Sequence, residues 1–559
     1  MPQPAQAPGP SDELVGPLER GLAVLRAVAA GPETRHRPGD LARTTGLARS
    51  TVDRAATTLV ALGLLRAEGR DLLLAPRAAE LGNAYLAASG LPDVLGPHVV
   101  ALADALDESV SVAVPDGDGV RFVVQAARRR AMAISFRVGD LLPAERCAPG
   151  ALYAADWDEE PWAAWRARRE RDPRGAGFPS LPPGPAGVRS PAVEEIEGDF
   201  RARTRQARAA GFAVDDQLIE PGLVAVAVPV RNPAGELLCA VSVVSHSSRH
   251  GARSLAERAL PPLRRAVAAM EAALAAATGA AALPVQGPAE SGGEFKEELG
   301  SGFLRSLARG LDVLRAFAAV RGPVRLAELA RLTGLPRATV RRSLITLRHL
   351  GYVREDAAGF HVLPRVLEFG YARLCGLDLA AIATPHLAAL VRRVHESASV
   401  AVLDGDDIRY VARVASTRIM RIDIGVGTRL PAYATSMGRV LLAALPEPDL
   451  AAYLARITPE ALTPHTVTSG AGVREVVAAT AERGYAWVEQ ELEEGLRSLA
   501  APVVDGTGRV VAAVNVALHA GRATPEESLA ALLPHLWETA ARIGADVAAV
   551  SRFSPVVTG

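Results

Sequence analysis

VRLAELARLTGLPRATVRRSLITLRHLGYVREDAAGFHVLP, residues 324–364, decides how the chain is read. Its first eleven residues place apolar side chains at helical spacing and stop at Gly334. LPRATVRRSLITLRHLG (335–351) predicts a second helix, with Pro336 near its first turn and Gly351 as its stop. YVREDAAGFHVLP (352–364) alternates apolar and polar residues around a Gly-containing turn, the pattern of a β-hairpin. Just upstream, ARGLDVLRAFAAV (308–320) has the apolar period of a longer helix. Helix, short helix, tight turn, helix and two-stranded wing make a winged helix-turn-helix.

The same text occurs earlier in the chain. LERGLAVLRAVAA and LARTTGLARSTVDRAATTLVALGLLR lie within residues 18–75, and Gly21 matches Gly310 at an offset of 289. Gly46 and Gly63 match Gly334 and Gly351 at 288, and ESVSVAVPDGDGVRFV faces ESASVAVLDGDDIRYV in that register. GFAVDDQLIEPGLVAVAVPV (211–230) matches GYAWVEQELEEGLRSLAAPV (484–503) at 273, so the first copy carries 15 extra residues. They are assigned to the Pro/Arg/Trp-rich stretch 156–190, read as an exposed insertion. The Gly/Pro/Ser/Glu-rich segment 279–302 has no hydrophobic period and reads as a linker. At about 20 flexible residues its r.m.s. reach is roughly 25 Å. The expected organisation is a disordered tail (1–15), a first winged helix (16–76), a first effector-type domain (77–278), the linker, a second winged helix (303–364) and a second effector-type domain (365–552).

Composition narrows the function classes. The chain has 559 residues, 49% hydrophobic and 22% charged, room for three to five domains with their own cores. Net charge is zero, so any nucleic-acid site has to come from local clustering. The only lysine is Lys296, so Arg richness by itself carries little information. Cys147, Cys239 and Cys375 lie far apart with no C-x-x-C, which argues against a disulfide framework and a zinc cluster and points to a reducing compartment. The Pro-rich start lacks the pattern of a signal peptide, and no run of 18 apolar residues occurs, so a soluble cytoplasmic protein without a membrane partner is expected. Neither H-E-x-x-H, G-x-S-x-G nor a P-loop appears. Cys147 faces Thr435 in the other copy, so no nucleophile recurs; His98 and His386 recur at helix starts, where a structural role is expected, and His246 and His250 are weak ligands. No enzyme activity, cofactor or metal is expected.

Local charge does cluster. Residues 304–364 hold 11 Arg against 4 acidic residues, and residues 18–76 hold 9 against 6. A helix entering the major groove offers its N-terminal side chains to base edges. The third helices place Arg49, Ser50, Thr51 and Arg54 there in copy one, and Arg337, Thr339, Arg341 and Arg342 in copy two. Arg binds guanine bidentately, and Ser and Thr reach phosphates or bases. Solvated helix faces, or a protein-interaction scaffold that has lost DNA binding, are the competing readings.

Beyond each wing, helices alternate with short strands. LLCAVSVVSH and VVAAVNVALH suggest an antiparallel sheet flanked by helices, an α+β domain of about 180 residues. At this point the residues resemble the IclR family of bacterial transcription regulators. YVARVASTRIMRIDIGVGTRLPAYATSMGRVLLA (410–443) and GYAWVEQELEEGLRSLAAPV (484–503) are similar to the branch controlling protocatechuate and β-ketoadipate catabolism. The resemblance implies a winged helix joined to a GAF-like effector domain, operator binding as dimers or tetramers, and a small organic acid as effector. The tandem duplication departs from the usual single copy.

The residues themselves support a pocket in copy two. Ser436 heads the apparent helix SMGRVLLAAL, Gly438 leaves room near its backbone, and a helix N-terminus suits a carboxylate. Arg497 and Ser498 offer charge-assisted hydrogen bonds, Met420, Tyr433 and Leu496 supply apolar wall, and Asn515 punctuates an apolar strand. The resemblance adds Met437 and Glu489 to Met420, Leu496, Ser498 and Asn515. Copy one departs here, with Glu145, Ala148, Pro149, Val224-Ala225 and Ser242 at the positions of Tyr433, Ser436, Met437, Arg497-Ser498 and Asn515. It reads as a degenerate or differently tuned sensor. The partners expected are a double-stranded operator in the form of an imperfect palindrome, the organic acid, and either the other copy within the chain or a second chain.

Overall fold

The computed structural model describes residues 14–31, 34–128, 130, 136–181, 191–277, 302–416, 424–521, 523–553 and 556. All but the last two residues of the expected tail, and all but Gly302 of the expected linker, lie outside them. No single helix among these residues is long and apolar enough to cross a membrane. The chain divides into two compact units, Met1–Leu374 and Cys375–Gly559.

The first unit opens with α1 (Gly16–Ala30), α2 (Pro38–Thr45), α3 (Arg49–Ala61) and the wing β1 (Leu65–Glu68) and β2 (Asp71–Leu74). Leu18, Leu22 and Leu25 recur at helical spacing on α1 and are buried. Strand register pairs Leu65 with Leu74 and Glu68 with Asp71, closing the wing on a two-residue turn. A layer of α4 (Ala79–Ser89) and α5 (Leu91–Leu106) leads into a six-stranded antiparallel sheet. Its strands are β3 (Ser109–Asp116), β4 (Gly119–Ala126), β5 (Leu141–Pro143), β6 (Ala213–Asp216), β7 (Leu223–Arg231) and β8 (Leu237–His246), in the order β5-β4-β3-β8-β7-β6. One face carries α6 (Ala148–Ala154), α7 (Glu159–Arg171) and α8 (Val193–Ala210), and α5 and α9 (Ala252–Ala277) cover the other.

The segment 156–190 is not the exposed insertion expected of it, as far as it is described. Helix α7 buries Trp162 and Trp165 against Phe200 of α8, with Trp162 and Phe200 ring centres 5.2 Å apart. Tryptophans at i and i+3 share one helix face and carry a large apolar area inward. A shorter helix occupies the same place in copy two. Copy one's additional length is therefore spread over a longer α7, a longer α8 and the stretch between them, of which 182–190 lie outside the described residues.

The second winged helix belongs to the first unit. It comprises α10 (Arg305–Ala316), α11 (Leu326–Thr333), α12 (Arg337–His349), β9 (Val353–Asp356) and β10 (Gly359–Val362), and the short α13 (Tyr371–Leu374) beyond it closes the unit. It packs on the first through reciprocal contacts. A Cβ on Gly21 would lie 2.4 Å from the Leu307 side chain, and one on Gly310 2.5 Å from Leu18, so α1 and α10 cross where each offers a bare backbone to the other's leucine. The Val15 amide donates to Thr346 Oγ1 on α12, and the Leu304 amide to Thr58 Oγ1 on α3, both at 2.9 Å. Glu80 pairs with Arg315 at 2.9 Å and Arg26 with Glu368 at 3.9 Å.

The second unit repeats the sheet domain. Helix α14 (Leu379–Val394) precedes β11 (Ser397–Asp404), β12 (Asp407–Val414) and β13 (Arg429–Pro431). Then come α15 (Ser436–Ala443), α16 (Glu447–Arg456), α17 (Gly470–Arg483), β14 (Ala486–Glu489), β15 (Leu496–Val504), β16 (Val510–His519) and α18 (Pro525–Ser551). Strand order is β13-β12-β11-β16-β15-β14, again antiparallel, and each copy carries a register shift at the matching place, Val112/Ala113 and Val400/Ala401. His386 reaches Asp546 of α18 at 2.8 Å, a structural contact between two helices.

Candidate nucleic-acid face and effector pocket

The two third helices carry the expected basic side chains outward. Arg49, Ser50, Arg54, Arg337, Arg341 and Arg342 are exposed, while Thr51 and Thr339 are half-buried. The opposite face, Val52 and Leu59 on α3 and Val340 and Leu347 on α12, is fully buried. Among the described residues no side chain caps the N-terminus of either helix, and the Thr51 and Thr339 amides already bond the Ala48 and Pro336 carbonyls at 2.9 Å. The copies differ in charge. Asp53 of α3 takes Arg49 Nε at 3.0 Å, and Arg341 stands at the matching position of α12. The copy-two wing carries Asp356, whose carboxyl is held down to about 2 by its hydrogen bond to His361, 2.8 Å away.

The second unit holds a narrow pocket, with about 20 Å³ of free interior, on the inner side of the curled sheet. Ser436, Met437, Leu496, Ser498 and Asn515 line it. Thr435, rather than Ser436, caps α15, its Oγ1 accepting from the Gly438 amide at 3.1 Å. That leaves the buried Ser436 hydroxyl free to face Ser498 Oγ at 2.6 Å. Asn515 Nδ2 donates to Ser498 Oγ at 3.1 Å, and the buried Asn515 Oδ1 has no hydrogen-bond partner among the described residues. Three polar side chains thus meet in a cavity whose remaining lining is apolar apart from Tyr410, Arg413 and Thr435. One open acceptor and two hydroxyls there can accept from and donate to an acid or phenol.

Strand geometry explains which expected residues are not brought here. On β15, Leu496 and Ser498 share a face, so Arg497 points to the opposite one. There Arg497 Nε donates to Glu489 Oε1 at 2.7 Å across the strand pair, and Nη1 donates to the Ala523 carbonyl at 2.5 Å. Glu489 and Arg497 hold each other at the sheet edge, and Val488 lines the pocket in place of Glu489. Tyr433 is buried in the core with its hydroxyl bonded to the Glu460 backbone, 3.0 Å from the amide. Gly438 serves packing, since a Cβ there would lie 2.0 Å from the Ala432 carbonyl oxygen; Gly150 repeats this in copy one against Ala144. Met420 lies outside the described residues.

Sequence reading missed Tyr410, Arg413 and Ile424, which also line the pocket, together with Thr435, Leu492 and Ala517. Alternation along β12 carried the signal for Tyr410, and position on the loop after it for Ile424. The buried pair Arg439–Glu491, with Nη2 to Oε2 at 2.6 Å, was not anticipated either. Glu491 also accepts from the Val467 amide at 3.1 Å, pinning the loop beside α15.

Copy one fills the matching space differently. Phe136 stacks on Phe122 with ring centres 4.4 Å apart, and these occupy the positions of Ile424 and Tyr410. Glu145, at the place of Tyr433, is buried and accepts from Trp165 Nε1 at 3.0 Å and Arg168 Nη2 at 2.8 Å. Pro149 sits in the first turn of α6, where its missing N–H costs no hydrogen bond. Asp215 stands where Val488 stands, and burial pushes its carboxyl up to about 7 against the Leu218 amide, which pulls it down. Burial also pushes the Cys147 thiol up, which keeps it protonated and unreactive.

The model of the IclR helix-turn-helix domain matches residues 17–69 and 306–357. That of the bacterial transcriptional regulator IclR C-terminal domain matches 197–272 and 371–545. The Pca regulon regulatory protein of Pseudomonas putida is 43% identical over 235 residues, 42% of this chain and 81% of its own length. The p-hydroxybenzoate hydroxylase transcriptional activator of Acinetobacter baylyi is 32% identical over 243 residues, 43% of this chain and 90% of its own length. Among solved structures, a transcriptional regulator from Rhodococcus sp. RHA1 is 49% identical, covers 45% of this chain and 100% of its own, and has a TM-score of 0.42.

Proposed function

The chain belongs to the IclR family of bacterial transcription regulators, and on that premise we propose that it is a cytoplasmic DNA-binding regulator whose operator affinity is set by a small aromatic or carboxylic acid. The acid binds in the second effector domain, and the genes controlled serve aromatic-acid catabolism. The observation that carries the ligand reading is the part of the pocket where Ser436, Ser498 and Asn515 converge and Asn515 Oδ1 lacks a partner among the described residues. An apolar cavity with a few convergent polar groups is the form small-molecule sites take. A carboxylate accepts from the two hydroxyls and from Asn515 Nδ2, while a phenol or protonated acid donates to Oδ1.

The two winged helices (16–76 and 303–364) read the two halves of one operator, with effector domains at 77–278 and 365–552. Reciprocal docking of α1 on α10 supports a pairing within the chain. Arg49-Ser50-Thr51 against Arg337-Ala338-Thr339 then makes the operator an imperfect palindrome. Arg49, Ser50, Thr51, Arg54, Arg337, Thr339, Arg341 and Arg342 are the proposed contacts. Ligand acts by favouring one arrangement of the readers over another, since only differential affinity shifts a population.

Sequencing the genomic fragments that the purified full chain retains, with and without 4-hydroxybenzoate or protocatechuate, tests the reading. Enrichment of a few sites beside catabolic genes, altered by one acid, is the expected result. Uniform retention of all fragments, or none, overturns it in favour of an interaction scaffold. Light scattering of the operator complex distinguishes one chain per site from two.

A further inference from the structure

The reciprocal arms bring a second set of cations to the first reading helix. A cleft of about 270 Å³ opens between the starts of α1, α3 and α10, lined by Pro17, Arg20, Thr51, Arg54, Arg305 and Ser306 beside the Phe303-Leu304 arm. Three arginines face it and no acidic side chain lines it among the described residues. Arg20 and Arg305 are exposed, and none of the ion pairs between described residues includes either of them. The Leu304 amide bonded to Thr58 Oγ1 ties this arm of copy two to α3 of copy one, so Arg305 is held beside Thr51 and Arg54. The arrangement is lopsided. At the mirrored place Arg309, Thr339 and Arg342 recur, but Gly16 stands where Arg305 stands. The helix that receives the extra arginine is the one whose own charge is reduced by Asp53.

We propose that this cleft is a composite phosphate clamp: Arg20 of copy one and Arg305 of copy two grip the backbone of duplex DNA beside the half-site read by Arg49, Thr51 and Arg54. The clamp rests on the proposed operator binding, and it assigns to α10 of copy two a contact with the half-site of copy one. Guanidinium groups grip phosphate oxygens through paired N–H donors, and such contacts position the protein without reading sequence. Each phosphate neutralised adds about 0.9 to the slope of log K against log salt.

The test uses the full chain and a 40-base-pair duplex of fixed arbitrary sequence, titrated between about 50 and 200 mM salt. Arg20→Gln and Arg305→Gln each lower the slope by about one, so the deficit of the variant relative to wild type shrinks about threefold to fourfold over that range. Arg305→Lys retains the slope. Arg253→Gln, an equal charge loss on the exposed face of α9, leaves it unchanged. Wild-type slopes in both Gln variants overturn the clamp while leaving DNA binding intact. A wild-type chain that does not bind duplex at any salt overturns the operator reading itself. Calorimetric binding of inorganic phosphate that disappears in Arg305→Gln, with an unchanged DNA slope, assigns the cleft to a free anion and overturns the DNA clamp.

Discussion

Ser498→Ala removes one oxygen and breaks two contacts, because Ser498 Oγ is at once the partner of Ser436 Oγ at 2.6 Å and of Asn515 Nδ2 at 3.1 Å. Each neutral hydrogen bond contributes about 0.5–1.5 kcal/mol net, so the empty domain loses roughly 1–3 kcal/mol. The larger effect is on ligand. Hydrogen bonds to a charged group contribute about 1.5–3 kcal/mol, which for a carboxylate seated on this cluster is roughly a 10- to 150-fold loss of affinity. The first copy supplies the comparison within the same molecule, since Ala148 and Ala225 already stand at the positions of Ser436 and Ser498. Titration calorimetry of the full chain with 4-hydroxybenzoate and with protocatechuate reads the loss directly. The expected result is one site per chain, weakened at least tenfold by Ser498→Ala, with affinity for duplex DNA in the absence of acid unchanged. Wild-type acid affinity in the variant, or a second site of equal strength in copy one, would refute the assignment of the cluster.

Other outcomes are expected from the remaining features. Arg341→Ala weakens specific operator binding by about 1–3 kcal/mol if the side chain reads a base, measured by competition against mismatched duplex; an unchanged specificity ratio removes it from the groove. Gly310→Val drives a branched side chain into Leu18 across the α1–α10 crossing and costs about 1–3 kcal/mol, and Leu18→Ala in the same chain recovers part of it; no recovery means the two helices do not meet there. Asp215 has a folded value near 7 against an ordinary carboxylate, so the folded state holds its proton more tightly than the unfolded state. Stability is therefore full below about pH 4 and falls as pH rises toward 7, by about 4 kcal/mol in all. Asp215→Asn removes that slope, which denaturation midpoints of the first unit at pH 5 and 8 measure; parallel behaviour of variant and wild type refutes it.

Much of the site could be read along the chain. Part of the hydroxyl cluster was legible because Asn515 interrupts an apolar strand, where a polar side chain needs a partner, and because Ser498 follows Gly495 at a strand entry. Arg497 and Glu489 were legible too, and misread: assigning Leu496, Arg497 and Ser498 to one pocket contradicts a period of two, which sends the middle residue to the other face. Trp162 and Trp165 were passed over because Pro and Arg dominate their surroundings, although their spacing already marks one buried helix face. Tyr410 and Phe122 sit at the same register in the two copies, but only packing shows the first lining a cavity and the second stacked under Phe136.

By itself the sequence determined much of what depends on near neighbours: two winged helices, two antiparallel sheets and the register between the copies. These follow from helical and strand periods and from helix stops, all set within a few residues. Tertiary structure alone decided that the second winged helix packs on the first, that Arg305 stands beside Arg54, that Thr435 frees Ser436, and that Asp215 is buried. Each of those brings together or shuts away groups far apart along the chain, and the free energy of such contacts comes from desolvation and close packing, which local pattern does not encode.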